Sequence, residues 1–213
     1  FRRAAVVDWA QRTNGYVFDD DYDGEFRYDR QPIGALQALC PDRVVYLGSA
    51  SKSMSQALRL GWIVLPDNLI DAVIEASGGQ QYYVDSLSQL TMASFISTGK
   101  YDKHIRRMRM RYRRRRDTLV DALAGFDVGI SGLSAGVNLV LTLPHDTEHE
   151  VLRRAGEAGI ALQGLAMMRH PLSSPEIPNP NGIIVGFAAP ADHAFAPAVD
   201  ALLGVLRASG LAQ

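Results

Sequence analysis

Residues 43–53 read Arg-Val-Val-Tyr-Leu-Gly-Ser-Ala-Ser-Lys-Ser, an apolar run that ends in small hydroxyl residues around one lysine. Arg43–Gly48 has the β-branched and aromatic content of a buried strand, and the residues after it form a turn. A lysine directly behind a buried strand, flanked by Ser49, Ser51 and Ser53, occupies a place that a surface lysine does not need. Ser49-x-x-Lys52 also fits the S-x-x-K pattern of penicillin-binding enzymes. That pattern requires S-D-N and K-T-G partners, and neither tripeptide occurs in the chain. A P-loop pattern is absent too, which argues against a nucleoside triphosphate.

Outward from this turn, strands and helices alternate. Upstream, Ala4–Arg12 predicts a helix closed by Asn14-Gly15, and Tyr16–Asp19 a short strand ending in acids. Downstream, Leu60–Leu65 predicts a strand stopped by Pro66. Asp67 then caps a helix to about Ala76, Gly78-Gly79 breaks it, and Tyr83–Ser97 resumes helically. Lys100 to about Ala124 reads as a long helix rich in arginine. After Gly125 the predicted strands are Phe126–Ile130, Val137–Leu143, Ile160–Gln163 and Ile183–Ala188. The helices there are Asp146–Glu157 and His193–Arg207, and Pro171–Gly182, with four prolines, is a loop. This order predicts two unlike parts: residues 1–99, and residues 100–213 made of a long helix and a compact α+β unit.

The 213 residues are 47% hydrophobic and 21% charged, which is enough to build a core and excludes a disordered chain. Lys and Arg number 22 against 23 Asp and Glu, so no global charge pulls the chain toward nucleic acid or anionic lipid. The single cysteine, Cys40, excludes an intrachain disulfide framework and fits a reducing, cytoplasmic compartment. Apolar runs are too short for a bilayer, and no signal peptide opens the chain. Phe1 stands where an initiating Met is expected, so the chain reads as a fragment of something longer.

A second constellation is the run Asp19-Asp20-Asp21-Tyr22-Asp23-Gly24. Asp19, Asp21, Asp23 and Gly24 match the first half of a calcium loop, but Arg30 stands where a bidentate Glu is required. A solvated turn is one reading of this run. The other is a ligand crevice, since the run follows a strand in an α/β pattern. Pyridoxal phosphate accounts for both constellations at once. Its aldehyde needs an amine able to lose a proton, its phosphate needs hydroxyls and an arginine, and its pyridine nitrogen needs a carboxylate. Lys52, then Ser49, Ser51 and Arg59, then Asp20 supply these groups, and Tyr22 offers a phenol to the ring oxygen.

The stretches FDDDYDGEFRYDR (residues 18–30) and RVVYLGSASKSMSQALRLGWIVLP (residues 43–66) together closely resemble the aminotransferase-like domain of MocR-type regulators in the GntR superfamily. The resemblance extends over the HIRRMRMRYRRRRDTL helix and the late VGFA segment. It implies an α/β fold of the fold-type I pyridoxal phosphate enzymes. The chain would hold the C-terminal part of the large, mostly parallel-sheet domain plus the small C-terminal domain. It further implies that Lys52 is the Schiff-base lysine, that Asp20 faces the pyridine nitrogen and Tyr22 the ring hydroxyl, and that Ser49, Ser51 and Arg59 hold the phosphate. A winged helix-turn-helix and the first half of the large domain would lie outside this chain. Ordinary aminotransferases carry a carboxylate-gripping arginine where this sequence has Ile184, with Arg169 a substitute from the preceding loop.

The resemblance makes the chain an effector-sensing, homodimeric domain that responds to an amine or amino acid and reaches DNA only through the missing N-terminal part. A working aminotransferase using the same residues is the alternative, and a fold kept only for dimerisation is a third reading. Other features read plainly. Eight arginines between Arg106 and Arg116 go all round a helix, which fits an interdomain role better than a DNA-binding stripe. His145 and His149 lack a third metal ligand. Trp9, Trp62 and the Tyr82-Tyr83 pair read as packing, and Cys40 lacks a base beside it.

Overall fold

The computed structural model describes residues 2–28, 34–78, 85–131, 135–174 and 181–212. The chain divides into two compact units, Phe1–Met108 and Arg109–Gln213. Tyr82-Tyr83 and the prolines 175, 178 and 180 lie outside the described residues.

The first unit is built on a three-stranded sheet in the order β1-β2-β3, with β1 (Val17–Asp21), β2 (Val44–Ser49) and β3 (Gly61–Val64). β1 and β2 are parallel, while β3 runs antiparallel to β2, so the sheet is mixed. β2 is central because both its neighbours pair with it and its Val44 and Val45 are buried. Helix α1 (Arg2–Thr13) precedes β1, and Val7 of α1 and Val17 of β1 pack against a small core of Leu36, Cys40 and Val44. After β3 come α2 (Asp67–Ala76) and α3 (Ser86–Ser97). Asp67 is the first residue of α2 rather than its cap. Pro66 takes the cap position without a side-chain bond, and the Asp67 carboxylate complements the helix dipole instead. α3 has a true cap, the Asp85 side chain accepting from the Ser88 amide at 2.8 Å.

Helix α4 (Lys100–Ala122) contains the whole arginine run. The eight arginines do go round it, but burial sorts them. Arg115 is buried, Arg109, Arg111 and Arg116 are half-buried, and Arg106, Arg107, Arg113 and Arg114 are exposed. Residues seven apart nearly superimpose on a helix, so the exposed four do fall on one side.

The second unit has an antiparallel sheet in the order β4-β5-β7-β6: β4 (Gly129–Ser131), β5 (Asn138–Thr142), β6 (Gln163–Gly164) and β7 (Gly182–Gly186). Helices α5 (Glu148–Glu157) and α6 (Asp192–Ala208) pack on each other and complete an α+β unit. Leu139, Leu141, Ile183, Val151, Leu202 and Leu206 are buried there. Two expected strands are shorter. Phe126 makes only an isolated bridge to Ala212. Ile160 gives its amide to the Ala155 carbonyl and so ends α5 before pairing begins at Gln163. His145 lies in the turn before α5, so it does not share a helix face with His149. Among the described residues, no helix is long and apolar enough to cross a membrane.

Candidate functional site

Strand alternation gives the three aspartates of β1 different environments. Asp19 accepts from the Leu36 amide at 2.9 Å, and Asp21 accepts from the Tyr46 hydroxyl at 3.0 Å. Asp20, between them, faces the other way and is exposed, and its carboxylate makes no hydrogen bond or ion pair among the described residues. Burial and the Asp21 hydrogen bond push the Tyr46 phenol up to about 12, so it stays a donor. The Tyr22 phenol is also raised, first by the charge of Asp23, then by burial and Asp20. It too keeps its proton near neutral pH. A Cβ at Gly24 would lie 2.0 Å from the Asp21 carboxylate oxygen, so a larger residue there would have to displace that carboxylate.

The turn after β2 organises the second group. The Ser49 hydroxyl accepts from the Ser51 amide at 3.1 Å and pairs with the Ser51 hydroxyl at 2.9 Å. Met54 donates its amide to the Ala50 carbonyl at 2.9 Å, which closes the turn around half-buried Lys52. Arg59 follows a short 3-10 turn, Gln56–Leu58, and sits in the left-handed region with φ 50° and ψ 33°. Its neighbour Leu60 accepts from the Ala50 amide at 2.9 Å, which ties the segment that carries the arginine to the lysine's turn.

Register brings these pieces to one end of the sheet. Asp21 pairs with Gly48, and Ser49 pairs with Gly61. The ends of β1 and β2 and the start of β3 therefore lie side by side, with Asp20 and Tyr22, Ser49, Ser51 and Lys52, and Arg59 in three adjacent columns. The arrangement offers an amine, paired hydroxyls, a cation and a spare carboxylate. That donor set fits pyridoxal phosphate: cation and hydroxyls for its phosphate, carboxylate for its ring nitrogen, and amine for its aldehyde.

Residues distant in sequence also reach this turn. Ser53 is buried, and Tyr101 and His104 of α4 both contact it. Tyr101 also bonds Glu25 at 3.2 Å. No spacing pattern pointed to them, because they lie 48 and 51 residues further on. In the second unit, Ile184 lies in β7 opposite Val140, and Arg169 donates to the Ser174 carbonyl at 3.2 Å. An apolar hollow of about 280 Å³ bounded by Leu119, Ile160, Val185, Phe187 and Phe195 contains no titratable group. Among the described residues no group of three or more His, Cys, Asp or Glu is arranged to hold a metal. Cys40 is buried, and its sulfur accepts from the Gln11 side-chain amide at 3.7 Å.

The family description "Aminotransferase class I and II" matches residues 4–188. Among curated relatives, the uncharacterized HTH-type transcriptional regulator YhdI of Bacillus subtilis (strain 168) is 39% identical over 166 residues, 76% of this chain and 35% of its own length. The probable rhizopine catabolism regulatory protein MocR of Rhizobium meliloti is 33% identical over 193 residues, 87% of this chain and 38% of its own length. Among solved structures, Pyrococcus horikoshii kynurenine aminotransferase, in complex with PMP, superposes with a TM-score of 0.82 at 25% identity, covering 97% of this chain and 51% of that one. The α-aminoadipate aminotransferase LysN of Thermus thermophilus shares the fold, with a TM-score of 0.82 at 20% identity over 97% of this chain and 54% of that one. The chain thus spans little more than a third of these regulators and about half of these aminotransferases. Its mixed sheet, its serine-rich lysine turn and these likenesses agree: the chain belongs to the aminotransferase class I and II family, with MocR-type regulators among its relatives.

Proposed function

We propose that this chain is the pyridoxal phosphate-binding, effector-sensing domain of a MocR-type transcriptional regulator. The observation that carries the reading is the spare carboxylate of Asp20, placed by register beside the turn that bears Lys52, Ser49 and Ser51. In this reading Lys52 is the amine that holds the cofactor, Ser49, Ser51 and Arg59 take its phosphate, and Tyr22 donates to its ring oxygen. When bound, the cofactor supplies an electrophilic carbon that an incoming amine can claim from the lysine. Asp20, as an anion, keeps a proton on the ring nitrogen, since a nearby negative charge favours the cationic form. The effector is an amine or amino acid. The HTH-type relatives are longer than this chain, so DNA contact belongs to sequence beyond it, and the assembled protein is a homodimer in the cytoplasm.

Regulation is favoured over turnover by Ile184, an apolar side chain where the aminotransferase resemblance expects a carboxylate clamp. A substrate held without that clamp is poorly oriented, and misorientation costs rate steeply. The test is a visible absorption spectrum of the full-length protein with pyridoxal phosphate, beside Lys52→Ala and Asp20→Asn. The wild type should develop a band that Lys52→Ala abolishes and Asp20→Asn shifts, and amino acids should move that band without steady release of keto acid. A wild-type protein with no band would sink the cofactor reading. Sustained keto-acid formation would favour the enzyme instead.

A further inference from the structure

Lys52 is flanked on its C-terminal side by a residue that is tied down unusually well. Ser53 is 1% exposed, and a buried carbonyl must find a donor. His104 of α4 provides it, with Nε2 2.7 Å from the Ser53 carbonyl oxygen. A carbonyl can only accept, so Nε2 must carry a hydrogen.

The Ser53 side chain has a second tether. The Tyr101 oxygen lies 3.2 Å from Ser53 Oγ and 3.2 Å from Glu25 Oε1. One phenol has one proton, and an ionised carboxylate only accepts. The consistent assignment therefore runs Ser53 hydroxyl to Tyr101 oxygen, and Tyr101 hydroxyl to Glu25. Tyr101 and His104 are three residues apart on α4 and so share a face. The Phe95 ring packs against both, at 6.5 Å edge-on to Tyr101 and 6.2 Å from His104. Glu25 closes the Asp-rich loop, so this relay joins the two sequence motifs through a helix that belongs to neither.

We infer that Tyr101 and His104 are positioning residues for Lys52, holding its turn through Ser53. The inference rests on the reading of Lys52 as the cofactor's amine. A lysine on a fixed turn meets an aldehyde in few orientations, while a lysine on a loose turn samples many and reaches the productive one less often. The hydrogen bonds of these two side chains run to Ser53 and Glu25. Their effect travels through one backbone carbonyl and one hydroxyl.

The experiment uses full-length protein carrying Tyr101→Phe, His104→Ala or His104→Gln, with circular dichroism to confirm a native fold. Two rates are read for each. One is acylation of Lys52 by an amine-directed ester in cofactor-free protein, located by mass spectrometry. The other is attachment of pyridoxal phosphate to Lys52, trapped by borohydride. Losing one hydrogen bond should change each rate about 3- to 10-fold. In His104→Ala and Tyr101→Phe, acylation should rise and attachment should fall. His104→Gln, which keeps an N–H donor, should return both to within about twofold of wild type. Wild-type rates in both disruptive variants, or failure of His104→Gln to restore them, would overturn the inference. If wild type fails to attach the cofactor but acylation still rises and is rescued, positioning stands and the cofactor reading falls.

Discussion

Beneath the Trp62 indole, β2 passes at Gly48, where a Cβ would lie 2.2 Å from Nε1 of that ring. Gly48→Ala should therefore push Trp62 off the strand and destabilise the fold by about 1–3 kcal/mol, read as a lower denaturant midpoint. Glu25 makes a second residue-scale prediction. Burial chiefly raises its carboxyl above the ordinary 4.5, against the lowering effects of its hydrogen bonds. The folded state then keeps a proton that the unfolded state has lost. The resulting stability is full below 4.5 and is lost as pH rises through the folded value. Subtracting the stability–pH curve of Glu25→Gln from that of wild type should expose this fall, and a flat difference would refute it. At this scale the sequence disclosed what was local. Lys52, Ser49, Ser51 and Arg59 lie in one short motif, and Asp20 in another. Tyr101 and His104 were hidden because only a long-range fold brings α4 to Ser53, and their helix reads first as an arginine tract. Asp20 was named from the sequence, but that Asp19 and Asp21 are engaged by Leu36 and Tyr46 depends on where β1 pairs, which no local motif shows.

Between elements, two charged side chains act as staples in the second unit. Buried Arg115 of α4 donates to the carbonyls of Phe187 and Ala188 and to Asp192 at 2.8 Å, and its guanidinium lies 4.9 Å from the Phe195 ring centroid. It thereby fixes the exit of β7 to the start of α6. Buried Glu148 of α5 accepts from the Ala166 amide at 3.1 Å and the Gly182 amide at 2.8 Å, gripping both sides of the loop that leads into β7. Glu148→Ala should cost about 2–4 kcal/mol, since two amides lose a charged acceptor at once. Arg115→Lys should lose most of what Arg115→Ala loses, because an ammonium cannot span two carbonyls and a carboxylate as the planar fork does. Thermal unfolding of the three variants tests both statements. Helices and central strands were legible from periodicity alone. The short β6 was not, for its length follows from a partner strand and from where α5 ends. The exposed side of α4 was missed because the arginine count hides which four turn outward.

At the scale of the whole molecule, the first unit leaves a set of large apolar side chains in the open. Phe18, Trp62, Ile63 and Val64 of the sheet and Ile70, Ile74, Leu87 and Leu90 of α2 and α3 are all exposed. Patches of this kind are normally covered. The chain expressed by itself should associate at micromolar concentration, and a monodisperse monomer by light scattering would contradict that. The three-stranded sheet adds a further consequence. Among the described residues β1 and β3 each lie at an edge, one on either side of β2, which gives the sheet two sticky sides and a valence of two. A particle with one sticky side pairs and stops, but a divalent one chains. The isolated chain should give a broad ladder of masses that lengthens with concentration, and capping one edge should shorten that ladder more than trimming any loop.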